Sequence, residues 1–219
     1  MIEKKILTIG IKHAGTKPGI DDLNFENGTV HSIRSISQRG LAASWARLAR
    51  QGLPPFDQFD PGRRVHDPKQ LVIWKVEANN GQNVFRALYR GSLLDQAFKD
   101  GWIGKTLAEV TPRSLLSAII SASDHCASTG CAVYTVLRTY DGAGFPIDFE
   151  RLLLPFGKDG RVQLILASLQ LISLEGTVER GTVVGSFEAQ AECVLSIRVP
   201  AASFPKSRSK SAVKDGISW

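Results

Sequence analysis

His125, Cys126 and Cys131 fall close together and supply nitrogen and sulfur donors, so a metal centre is the first chemistry this sequence raises. No fourth ligand stands at a characteristic spacing, and Cys126 continues the apolar line of Leu115, Ile119 and Ala122. A buried cysteine acting as a small hydrophobe accounts for it better, and no metal ligand set is assigned. Hydrolytic signatures are missing: neither G-x-S-x-G nor H-E-x-x-H occurs. The glycine-rich phosphate loops are missing too, both G-x-x-x-x-G-K-[ST] and a G-x-G-x-x-G that opens a helix after a strand. Carboxylate pairs that meet only in space leave no such mark, so the sequence assigns no catalytic residue and leads away from an enzyme.

Binding chemistry is better supplied. Trp74, Phe85, Tyr89, Trp102 and Tyr134 are flat rings that could line a ligand cavity, with the indole N–H or phenol O–H as a single polar handle. Core packing draws on the same residue types, and one or two of the five are expected at the cavity. Arg86, beside Phe85, is expected on the solvent face or else turned inward toward Glu150 or Asp148. Turned inward, it could grip a ligand carboxylate with both arms of its guanidinium.

These residues must be positioned by a sheet and a few helices. LVIWKVE and FRALYRG are strand-like runs on either side of Asn80-Gly81, a pair suited to the positive φ angles of a tight hairpin. SLLDQAFKDGWIGKTLAEV, with Gly91, Gly101 and Gly104 in or beside it, suits one or two brief helices. Thr111 is expected to cap the next helix, Pro112 to take its first position, and Gly130 to end it. CAVYTVLRTY, FERLLLPF and RVQLILASLQLISLE then read as three strands joined by DGAG and GKDG. Strands joined by short hairpins imply an antiparallel sheet, so the expected class is α+β, with five strands over residues 70–172 and the helices on one face.

Ahead of that domain, Leu41, Trp45 and Leu48 form the stripe of an amphipathic helix over residues 37–51, ended by Gly52 and Pro54. The helix and a Pro-, Asp- and Gly-rich linker fill residues 37–69. Residues 1–36 form an N-terminal extension in which Lys5, Leu7, Ile9 and Ile11 suit a short strand and FENG a loop. Residues 173–199 form a C-terminal extension with one further alternating run from Cys193 to Val199. From Pro200 onward disorder is expected, in a basic tail carrying Lys206, Arg208, Lys210 and Lys214.

Of 219 residues, 43% are hydrophobic and 22% charged, values of a chain that folds. The net charge of +6 is modest, so the tail is read as solvated rather than as a nucleic-acid or lipid binder. Three cysteines make no even disulfide framework, and no run approaches the ~18 apolar residues of a membrane span, so a cytoplasmic setting is expected.

The order of these elements resembles a PAS domain, and more closely the bacterial single-domain PAS family found mostly in alphaproteobacteria. The likeness runs from Trp45 to about Ser168. Its words are G-L-P at Gly52–Pro54, D-P at Asp60–Pro61, F-R at Phe85–Arg86 and G-S at Gly91–Ser92. G-K at Gly104–Lys105, ERLLLPF at Glu150–Phe156 and DGRV at Asp159–Val162 complete it. The resemblance implies a five-stranded antiparallel sheet whose concave face, closed by short helices, holds a small molecule or is filled by its own side chains. It also implies signalling through contacts with another protein. Leu41, Trp45 and Leu48 are the expected interaction residues, covering the sheet, pairing with a second copy or docking on a partner.

Haem-binding PAS domains resemble this layout and carry a histidine on the long helix, but His125 lies nearer the helix end than theirs. The cysteine segment of flavin photosensors has no counterpart here. The cofactor is therefore left unassigned. The leading expectation is a regulatory protein tuned by a small ligand. The rivals are a cofactor-carrying redox or gas sensor and a nucleic-acid regulator using the tail.

Overall fold

Two turns built from left-handed residues fold the central hairpins. Asn80 and Gly81 have φ of 48° and 81°, and Asp159 and Gly160 have 54° and 73°, the angles that match a two-residue turn to the twist of its strands. The first joins β2 (Leu71–Asn79) to β3 (Gln82–Arg90), and the second joins β5 (Pro146–Lys158) to β6 (Arg161–Ser173). A computed structural model describes residues 23–60, 68–97, 101–140, 144–173 and 191–204 of the protein. Three more strands, β1 (Glu26–Asn27), β4 (Ala132–Tyr140) and β7 (Glu192–Val199), complete a sheet ordered β1-β7-β4-β5-β6-β2-β3.

The run β3-β2-β6-β5-β4 is the five-stranded antiparallel sheet expected from the hairpin pattern. The sheet is larger than that. β7 pairs antiparallel with β4, and β1 pairs parallel with β7, so the whole is seven-stranded and mixed. The added strands cover the backbone edge that β4 would otherwise present to solvent. FENG, read as a loop, supplies β1.

The helices are α1 (Ile36–Leu48), α2 (Ser92–Ala97), α3 (Leu107–Val110) and α4 (Arg113–Thr129). Within the domain, α2, α3 and α4 gather on one face as expected, and α1, the helix expected ahead of the domain, covers the other. Residues of α3 and α4 share a core with Val72, Trp74, Phe85, Val133, Phe149, Leu153 and Ile165. Leu41, Ala42, Trp45 and Ala46 of α1 share another with Tyr134, Leu152, Leu154, Phe156 and Leu166. The reason lies in β5, where Phe149 and Leu153 face one way while Leu152, Leu154 and Phe156 face the other. A strand apolar on both faces needs a layer on each.

α4 departs from expectation at its start. Pro112 is the capping residue, while the Thr111 hydroxyl donates back to the Leu107 carbonyl at 2.6 Å. Its end is as expected, with Gly130 left-handed at φ 63°. Ala201–Ser203 form a turn of 3-10 helix and Phe204 is buried, so the order continues past Pro200. The strand expected near Lys5–Ile11 and the basic residues from Lys206 on lie outside the described residues. Among the described residues, no helix is long and apolar enough to cross a membrane.

Candidate functional site

On the α4 side of the sheet, a cavity of about 30 Å³ opens between α3, α4 and strands β2, β5 and β6. Trp74, Trp102, Leu115, Ile119, Phe149 and Leu169 give it apolar walls. The indoles of Trp74 and Trp102 lie 5.9 Å apart at a 31° tilt, and the Arg90 guanidinium sits 5.1 Å from the Trp102 ring centroid. Arg151 is the charged residue in the lining. Strand alternation puts it there, between Phe149 and Leu153 on one face of β5, while Asp148 and Glu150 fall to the other.

Arg151 is only 3% exposed. It donates from Nη1 to the Ile119 carbonyl at 3.1 Å and from Nη2 to Ser123 Oγ at 2.9 Å, both on α4. Burial pulls its guanidinium down to about 10, which leaves it charged at neutral pH. A buried cation beside two tryptophans, with the Thr111 hydroxyl also in the lining, equips the cavity to hold a small molecule.

Of the residues singled out in sequence, Trp74 and Trp102 line the cavity. Phe85 is buried in the same core but not at the cavity. Three others stand elsewhere. Tyr134 faces α1, because its position on β4 alternates with Val133 and Thr135, and its hydroxyl accepts from the Arg34 N–H at 3.2 Å. Tyr89 is 40% exposed near the end of β3, its hydroxyl donating to the Pro68 carbonyl. Arg86 does not reach Glu150 or Asp148. It pairs with Glu77 across the β2–β3 hairpin at 3.1 Å and donates to the Gly104 carbonyl. The residue missed was Arg151, for which the signal was the two-residue period of Phe149, Arg151 and Leu153.

The metal-type residues do not converge. Cys126 is fully buried, its thiol pushed well up by desolvation. His125 stacks on Phe25 with centroids 4.2 Å apart, and burial and Arg198 lower its pKa. Among the described residues no cluster of three His, Cys, Asp or Glu could hold a metal ion.

On the opposite face, α1 is held by mixed contacts. Trp45, 1% exposed, donates from Nε1 to the Pro155 carbonyl at 2.8 Å, and Leu41 is buried beside it while Leu48 is half-buried. Gln38 donates to the Ser168 carbonyl at 3.0 Å, and Gln170 donates to Ser37 Oγ at 2.7 Å. Just before the helix, Arg34 meets Asp148 at 2.7 Å, a carboxylate that Arg138 also grips at 2.8 Å.

Glu150 lies in this interface with its carboxyl raised by burial, which outweighs the Tyr134 hydroxyl, Arg34 and the Ser35 backbone N–H on the other side of the balance; Asp148 raises it further. The folded state therefore keeps a proton that the unfolded chain releases near 4.5. The resulting stabilisation is complete below that pH and is lost as pH rises through the higher folded value. Glu150→Gln keeps an acceptor for Tyr134 without the charge. It is expected to melt higher than wild type at pH 7–8, with the gain vanishing toward pH 4 in a pH series of thermal melts. An equal difference at every pH would show that Glu150 is not penalised by burial.

Comparison with protein-family models gives no match, and comparison with curated proteins gives none. Among solved structures, the chain is similar to one described as the structure of an RNA-binding Light-Oxygen-Voltage receptor, at 19% identity and a TM-score of 0.34. The likeness covers 64% of this chain and 39% of that one. The fold is α+β with a seven-stranded mixed sheet. That assignment stands on strand order and pairing.

Proposed function

We propose that the protein is a PAS-type sensory or regulatory protein, not an enzyme, in which a small molecule held between the sheet and α3–α4 alters the docking of α1 and so the contacts made with another protein. The observation that carries this reading is the double use of β5. One face bears Arg151 at the cavity, and the other bears Asp148, Glu150 and the Pro155 carbonyl that hold α1 and its leading segment. A shift of one strand is felt on both faces, and a ligand moves such an equilibrium by its difference in affinity for the two arrangements. A space of about 30 Å³ suits a ligand of a few atoms and not a haem or a flavin. His125, the residue that a haem reading would use, is not among the cavity residues.

Amide hydrogen exchange tests this. Leu169→Phe adds volume at the cavity wall as a stand-in for an occupant, and is expected to change exchange rates in α1, across the sheet, as well as in α3 and α4. Changes confined to α3 and α4 would overturn the coupling.

A further inference from the structure

We propose that the cavity is a receptor site for a small carboxylate of formate or acetate size, with Arg151 as its counter-charge. This deepens the reading of the cavity as a ligand site and rests on it. Arg151 has five N–H donors, and the two groups it donates to, the Ile119 carbonyl and Ser123 Oγ, are both uncharged. Those two groups also satisfy each other, since the Ser123 hydroxyl donates to the Ile119 carbonyl at 2.8 Å. Arg151 is thus not needed to complete them.

Among the described residues, no carboxylate forms an ion pair with Arg151. Its sequence neighbour Glu150 and nearby Asp148 are on the far side of the sheet, engaged with Tyr134, Arg34 and Arg138. The sheet therefore separates two buried carboxylates from one buried cation. A cation enclosed among tryptophan, leucine and phenylalanine is costly unless an anion joins it. The planar fork of arginine fits the two oxygens of a carboxylate, while the surrounding rings and methyls suit a short carbon body. The space holds about two water molecules, which limits the occupant to three or four heavy atoms. Val110, Thr111 and Pro112 are the half-buried residues of the wall, so the cavity is least covered there.

The test uses the full chain, with the indole N–H signals of Trp74 and Trp102 followed by NMR at constant ionic strength. Sodium acetate is expected to give saturable shifts at both, with acetamide, the neutral isostere, at least ~10-fold weaker and inorganic phosphate no different from chloride. Arg151→Met should lose the acetate response and melt no lower than wild type without anion, because Ser123 and Ile119 still pair. Arg151→Lys should weaken acetate by ~10-fold or more through loss of the two-armed contact. Should the methionine variant fail to fold, Arg151 is structurally required, and the wild-type comparison of acetate with acetamide still decides. Acetamide binding as well as acetate would overturn the carboxylate assignment and leave the ligand site standing. No saturable shift with any of these probes would overturn both.

Discussion

Trp45→Ala is expected to lower folding stability by about 3–5 kcal/mol, the range for truncating a fully buried large aromatic. For a chain of this length that corresponds to a melting temperature lower by roughly 6–20 °C. Two losses combine. The indole is almost entirely enclosed between α1 and the sheet, and its Nε1 donates to the Pro155 carbonyl at 2.8 Å. Trp45→Phe separates them, since it retains most of the packing but leaves the carbonyl without that donor, at about 1–3 kcal/mol. Of the three uses open to an amphipathic stripe, covering the sheet is the one this geometry fills. Sedimentation should therefore show the same oligomer distribution for wild type and Trp45→Phe. A distribution that shifts while the melt does not would mean that the stripe serves a second copy of the chain.

Gly157→Ala is the other large effect expected, at or above the upper end of the ~1–3 kcal/mol typical of overpacking. Gly157 follows a register shift between Phe156 and Gly157 in the β5–β6 ladder, and its N–H donates to the Pro54 carbonyl at 3.0 Å. A Cβ there would overlap the carbonyl oxygen of Arg161, with Val162 Cα 3.1 Å away. Both neighbours are backbone, so the strand itself must move. Gly160, three residues on, gives a control of different origin. A Cβ on it meets nothing within 4 Å, and only its φ of 73° is unsuited to alanine, a strain of about 1 kcal/mol. Denaturant unfolding should rank the two substitutions in that order, and equal losses would show that the irregular ladder relaxes around the added methyl.

Arg151 and α1 meet on the same strand, so the stability of the protein and its proposed response share a structural element. If the cation is retained for an anion, it is held against the preference of its surroundings. Its removal should then stabilise the empty protein while abolishing the response, the pattern of a site that trades stability for binding.

The residue order by itself determined what depends on near neighbours. Asn80-Gly81 and Asp159-Gly160 turn the chain because left-handed φ is cheap for asparagine, aspartate and glycine. Gly130 stops α4 for the same reason, and the strand runs between such points show their alternation directly. The α+β class and the central antiparallel strands follow from these local signals. Tertiary structure decided what depends on residues distant in sequence. Period-two patterning groups Phe149, Arg151 and Leu153 on one face but does not say whether a helix, solvent or a carboxylate stands opposite. The same limit hid the faces of Tyr134 and Arg86. β1 is two residues long and exists only because β7 offers an edge more than 160 residues away. Arg151 became a candidate binding residue only once α4 covered it, the carboxylates turned to the far side, and a small space remained beside two indoles. Burial, charge pairing and cavity shape belong to the packed chain, since each depends on which surfaces exclude water together.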